Sequence, residues 1–257
     1  MGWREAVNTR LTKTTGYRLE KARKPARRKP KKPAFPRFYD DEVRSVIRAV
    51  RPWTMTSNDK LFALVVAVRY VVDHAIPGDM VECGVWRGGS MQAIARVLAA
   101  RGATDRELHL FDTFEGMPPP TAEDVRLGGW TAAEMLRTRP RTANVWAVAD
   151  LEDVRAGMAQ VDYPGERIHY HPGVVEETIP GAAPDQIALL RLDTDWYAST
   201  KHELEHLYDR VPSGGVVIID DYDYWEGSRK AVDEFIATTG ARLLLAPMGS
   251  GRISVKP

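Results

Sequence analysis

From residue 38 onward, amphipathic stretches and short apolar runs take turns along the chain. Leu61, Leu64, Val65, Val68 and Val72 recur at helical spacing behind Ser57, a residue type that caps helices, and Pro77-Gly78 closes the stretch. Residues 80–83 then read as a short apolar strand, and 90–100 return to helix with Gly102 at the C-terminal cap position. Strands follow at 108–111 and, with an alternating pattern, at 167–170. The run Ile187–Leu192 is almost wholly apolar, as a strand buried on both faces in a parallel sheet should be. A helix is predicted over 199–210, a strand over Val216–Ile219 behind Ser213-Gly214-Gly215, and a helix from Ser228 to about Gly240. Two last runs, 242–245 and 252–255, are joined by a turn too short for a crossover helix, so that pair is expected to be antiparallel.

Five strands with helical crossovers and a terminal antiparallel pair predict an α/β chain with a seven-stranded, mostly parallel, doubly wound sheet. Residues 117–150 break the rhythm. Three consecutive prolines, Gly128-Gly129 and a short helical run near 132–137 predict a mobile insertion in a domain covering 38–257.

Charge separates a second segment. Residues 1–37 hold 13 Lys and Arg against 2 Asp and Glu, a balance of +11; the other 220 residues hold 23 against 33, a balance of −10. Eight of the twelve residues 21–32 are basic and prolines interrupt them, which predicts a disordered or extended tail. Nucleic acid, an anionic membrane surface, or the acidic body of a neighbouring subunit would each suit such a tail. No aromatic residue interleaves the charges between Lys21 and Lys32, and +11 nearly cancels −10, so self-association is expected rather than nucleic-acid binding.

No apolar run approaches the ~18 residues that a membrane-spanning helix needs, and no secretory leader is visible. The single Cys83 excludes an intramolecular disulfide framework and a cysteine-rich zinc site. The expected location is the cytoplasm.

Ligands of such sheets bind at the carboxyl ends of the strands, and there the sequence places its chemistry. The first strand runs into Gly84-Val85-Trp86-Arg87-Gly88-Gly89-Ser90, whose glycines permit either a ligand loop or simply a tight strand-to-helix turn. The second ends in Asp112, 28 residues after Gly84, an acid suited to a ribose diol or to a helix cap. The fourth ends in Asp193-Thr194-Asp195 and the fifth in Asp220-Asp221. Adjacent strands put Asp193, Asp220 and Asp221 at one mouth, where carboxylates repel unless protonated or bound to a cation. An all-oxygen donor set selects a hard divalent ion such as Mg²⁺.

The segments GDMVECGVWRGGS (78–90), LHLFDTFEGMP (108–118), HPGVVEETIP (171–180), LLRLDTDWYAST (189–200) and GGVVIIDDYDYW (214–225) resemble, in order, those of the macrocin O-methyltransferase family. The resemblance implies the class I methyltransferase (Rossmann-like) sheet, S-adenosylmethionine and a divalent cation, and a sugar hydroxyl of a glycosylated natural product as acceptor. It implies that Glu82, Gly84, Trp86 and Ser90 contact the methionine and adenosine parts of the cofactor. Asp112 would take the ribose, Thr113 and Phe114 would flank the adenine, and Met55 and Ser57 would close over the methionine end. The metal ligands would be Asp193, Asp220 and Asp221. Where the similar catechol-type enzymes carry a catalytic lysine this chain has Trp196, so the expected base is Asp193 or Asp195. A dimer or higher oligomer is also implied.

The reaction so implied is in-line transfer of a sulfonium methyl group to an alcohol that a metal-side aspartate deprotonates. Tyr222, Tyr224, Trp225 and the insertion are candidates for the acceptor wall. Alternatives are a catechol-like phenolic acceptor, a nucleic-acid methyltransferase using the tail, a nicotinamide dehydrogenase and a non-catalytic binding module. The dehydrogenase needs a G-x-G-x-x-G loop that is not there.

Overall fold

The almost wholly apolar run Ile187–Leu192 is buried at every position and lies between two parallel neighbours. The computed structural model describes residues 2–17 and 35–257, and the chain divides into two units, Met1–Pro36 and Arg37–Pro257. In the second unit, seven strands form one sheet: β1 Asp79–Cys83, β2 Leu108–Asp112, β3 Ile168–Pro172, β4 Ile187–Leu192, β5 Val216–Ile219, β6 Ala246–Met248 and β7 Gly251–Val255. Their order is β3-β2-β1-β4-β5-β7-β6. β1 to β5 are parallel, while β7 runs antiparallel to both β5 and β6. The predicted fold class is therefore the observed one.

Helices α2 Asp41–Val50, α3 Asn58–Asp73, α4 Gly89–Ala100, α5 Ala132–Thr138, α6 Leu151–Met158, α7 Val175–Thr178, α8 Tyr197–Leu207 and α9 Glu226–Thr239 fill the connections; α1 Trp3–Thr15 lies in the first unit. The carboxylate of Asp40 and the hydroxyl of Ser57 cap α2 and α3, each accepting a backbone N–H from the third residue on. α8 and α9 pack on the sheet face that carries Val81, Cys83, Leu190, Leu192, Val217 and Ile219. Among the described residues no helix is long and apolar enough to cross a membrane, and Cys83 is a buried free thiol.

The structure departs from the expectations or adds to them at four places. The run 242–245 is not a strand: Leu243 and Leu245 pack on the α8–α9 core while Leu244 is exposed, and pairing with β7 starts only at Ala246. α2 was not predicted, although its buried Val43, Val46, Ile47 and Val50 have helical spacing. The insertion, expected to be mobile, carries local structure of its own. Thr131 and Glu134 make a reciprocal capping box at the start of α5, and isolated bridges tie Val125 to Thr131 and Arg126 to Trp225. In the predicted 1–37 tail, residues 3–15 are helical, with Glu5 in the first turn and Gly16 at φ 73° ending the helix. The basic stretch 21–32 lies outside the described residues.

Register sets the site. β4 pairs Leu192 with Cys83 of β1 and with Ile219 of β5. One residue further, Asp193 donates its N–H to the Cys83 carbonyl (2.8 Å) and Asp220 donates to the Leu192 carbonyl (2.9 Å). The apolar strands thus end level, and both acids leave the sheet side by side.

Candidate active site

The loop after β1 turns sharply because Gly84 takes φ 80° and runs against the next strand end. A Cβ at Gly84 would stand 2.2 Å from the Asp193 carbonyl oxygen, so a side chain is excluded by both conformation and space. Trp86 follows at φ 48°, a left-handed conformation that a bulky residue keeps only when its surroundings fix it. Asp112 supplies part of that fixing. One of its carboxylate oxygens accepts the N–H groups of Val85 (2.6 Å) and Trp86 (3.0 Å), and the other accepts the N–H of Phe114 (2.8 Å). Burial raises the pKa of Asp112 against the pull of these donors.

Beside this loop opens a cavity of about 710 Å³. Of the residues predicted for the cofactor, Met55, Ser57, Gly84, Trp86, Asp112 and Thr113 line it. Glu82, Ser90 and Phe114 do not. Glu82 has no exposed surface and gives one oxygen to Arg191 at 2.5 Å, Ser90 is buried in the first turn of α4, and Phe114 is buried in the loop that Asp112 holds.

Asp193, Asp195, Asp220 and Asp221 form the acidic side of the cavity. One oxygen each of Asp193, Asp195 and Asp221 lies within 4.8 Å of the other two. Asp220, expected with Asp193 and Asp221, is turned toward cations: Lys60 Nζ donates to its carboxylate at 2.5 Å and to its carbonyl at 2.8 Å, and Arg191 donates at 2.7 Å. Arg191 also reaches Asp193 at 2.7 Å and the Thr56 hydroxyl at 3.2 Å. Five carboxylates, counting Glu82, thus face two cations.

The imbalance appears in the proton affinities. Burial, then the charges of their neighbours, lifts Asp193 and Asp221 well above the usual carboxylate range. Burial pushes Asp195 up to about 7, although a hydrogen bond with Asp221 opposes it. Burial would raise Asp220 too, but Arg191 and Lys60 outweigh it and hold that carboxyl below its ordinary value. A cluster with this excess of oxygen donors and negative charge fits a hard divalent cation.

Lys60, Arg191 and Thr56 are the functional residues that the sequence reading missed. Signals existed: Arg191 interrupts an otherwise apolar strand, and Lys60 shares a helix face with Leu61 and Leu64, where a lone charge needs a partner.

The opposite side of the cavity is apolar. Met117, Pro118, Met135 and Val145 come from the insertion, and Tyr224 and Trp225 from the segment after β5. Trp196, at the position of the catechol-type lysine, is buried; its ring nitrogen donates to the Pro118 carbonyl at 3.0 Å, and it meets Trp225 edge-to-face with centroids 5.0 Å apart. Tyr222 does not line the cavity: its hydroxyl donates to Asp233.

The sequence profile of the macrocin-O-methyltransferase (TylF) family matches residues 11–249. The chain is 35% identical over 201 residues to the demethyldecarbamoylnovobiocin O-methyltransferase of Streptomyces niveus, covering 77% of this chain and 74% of that one. It is 37% identical over 203 residues to the 8-demethyl-8-(2,3-dimethoxy-alpha-L-rhamnosyl)-tetracenomycin-C 4'-O-methyltransferase of Streptomyces olivaceus, covering 77% and 75%. The solved structure of the O-methyltransferase NovP superposes with a TM-score of 0.69 at 33% identity, covering 79% of this chain and 82% of that chain. With its strand order, its strand-end cavity and a profile match over nearly its whole length, the chain belongs to the macrocin-O-methyltransferase family and is an O-methyltransferase on the class I sheet.

Proposed function

We propose that this O-methyltransferase moves the methyl group of S-adenosylmethionine to a sugar hydroxyl of a glycosylated natural product, with a divalent cation, Mg²⁺ by its oxygen donors, at the acidic cluster. The single observation that carries this reading is the cavity itself: one wall is a glycine-turned loop beside Asp112, the next is four aspartates, and the third is apolar. The name of the Streptomyces olivaceus relative supports the acceptor class, since its substrate carries a dimethoxyrhamnosyl group.

In this reading the cofactor's ribose diol meets Asp112, while Trp86, Thr113, Met55 and Ser57 enclose the rest of the molecule. Asp193, Asp220 and Asp221 would hold the cation, with Lys60 and Arg191 each engaging one carboxylate oxygen of Asp220. The bound cation would lower the pKa of an acceptor hydroxyl. Asp195 takes the proton. One of its oxygens lies within 4.8 Å of one oxygen each of Asp193 and Asp221. The apolar wall carries the aglycone and holds the sugar in line with the sulfonium methyl, where orientation supplies much of the rate.

A panel assay tests it: a demethyl novobiocin-type compound, a rhamnosyl-tetracenomycin-type glycoside, a catechol and an RNA oligomer, each with labelled S-adenosylmethionine and Mg²⁺. Label on a glycoside alone is expected. Label on the catechol alone would move the acceptor class to phenols, and label on RNA would reverse the reading.

A further inference from the structure

Beside the Trp196–Pro118 hydrogen bond and the Arg126–Trp225 bridge, the insertion meets the segments after β4 and β5 at a buried carboxylate that touches neither cavity nor solvent. Asp124 is fully buried. One oxygen accepts the N–H of Tyr197 (2.7 Å), the first residue of α8; the other accepts the N–H (2.6 Å) and hydroxyl (2.9 Å) of Thr121. Its carbonyl accepts the N–H of Ala132, the first residue of α5 (2.8 Å). Gly227, in the first turn of α9, packs so closely that a Cβ there would lie 2.3 Å from the same oxygen that caps α8. Neither α8 nor α9 has a capping side chain of its own at the residue before it. Three helices thus begin around Asp124, and two of them follow the strands that carry the aspartates. A negative charge at helix N-termini is favourable, which suits a carboxylate to this place.

We infer that Asp124 is a positioning residue that makes the insertion a preformed acceptor wall, locked to the segment that bears Asp195, rather than a lid that closes on substrate. The inference rests on the reading of Met117, Met135 and Val145 as acceptor wall. Asp195 precedes Tyr197 by two residues, so the bond that caps α8 also fixes the distance between the wall and the base. Asp124→Asn is an informative lesion. Both oxygens accept backbone N–H groups, so the amide must point its NH₂ at one of those donors in either orientation. Gly227→Ala presses on the same carboxylate from the other side and leaves it charged.

The test compares wild type, Asp124→Asn and Gly227→Ala in the full chain. The first measurements need no acceptor: melting temperature, S-adenosylmethionine affinity by calorimetry, and rates of tryptic cutting at Arg126, Arg137 and Arg141. Wild type is expected to resist cutting equally with and without S-adenosylmethionine. Both variants are expected to be cut at least tenfold faster there, with cofactor affinity kept within about twofold. Where a glycoside of the panel is turned over, the variants should raise its KM at least tenfold and change kcat less. Rapid cutting of wild type that stops on adding cofactor would show a closing lid and overturn the inference. So would variants that cut like wild type. A panel without any accepted glycoside would count against the acceptor reading and leave the proteolysis result to decide the wall.

Discussion

Arg191 and Asp220 stand on adjacent strands and meet at 2.7 Å, with the arginine 2% exposed. The same guanidinium serves Glu82 at 2.5 Å and Asp193 at 2.7 Å, so one buried cation spans the ends of β1, β4 and β5. Removing one partner of a buried ion pair leaves an uncompensated charge and typically costs about 3–5 kcal/mol. Arg191→Met is expected to lower the melting temperature by roughly 10 °C for a domain of this size. Thermal denaturation with and without S-adenosylmethionine checks this; an unchanged midpoint would mean that the acids are balanced in another way.

Asp112→Ala removes the proposed ribose partner and also the acceptor for three backbone N–H groups of the loops after β1 and β2. Charge-assisted hydrogen bonds contribute about 1.5–3 kcal/mol each, so S-adenosylmethionine affinity should fall by tenfold or more. Calorimetric titration measures it, and an affinity equal to wild type would refute the ribose assignment.

Asp195→Asn separates chemistry from binding. General-base catalysis contributes roughly 10²–10⁴-fold, so kcat on an accepted glycoside should drop by about that factor. S-adenosylmethionine affinity should stay near wild type. Retained turnover would transfer the role to Asp193.

Stability should depend on pH through His171. It stacks between Phe111 and His109 on β2 and β3, near His169, with Glu107, Asp79 and Arg167 around the group. Burial first, and the neighbouring His109 and His169 next, pull its pKa down from 6.5 to about 4. The unfolded chain therefore binds this proton more readily. The associated stability is complete above about pH 6.5 and is lost as pH falls toward 4. After allowance for solvent screening the effect is about 1–2 kcal/mol, or roughly 5 °C. Melting curves between pH 7.5 and 4.5 for wild type and His171→Gln isolate it: the variant should show the smaller decline, and equal slopes would remove His171 as the cause.

These residues also show how far a sequence carries. The continuous apolar run of β4 and the glycines beside Asp112 announce a parallel sheet with a ligand at its strand ends, because burial on both faces and tight turns leave a local mark. The aspartates were legible for the same reason. Lys60 and Arg191 were not assigned, since their partners lie 160 and 29 residues away and only the register brings them together. Asp124 carries no local sign of its three helix starts. Over 242–245 a short apolar run suggested a strand, yet Leu243 and Leu245 satisfy the core without backbone pairing.

The central claim is that Asp193, Asp220 and Asp221 serve a cation that activates a sugar hydroxyl. Mass spectrometry of a demethyl glycoside incubated with enzyme and S-adenosylmethionine, in excess chelator and again after Mg²⁺ is restored, tests it most directly. The account predicts an unmodified glycoside in chelator and, with Mg²⁺, a product heavier by one methylene whose fragments place the gain on the sugar; full methylation in chelator, or a gain on the aglycone, would contradict it.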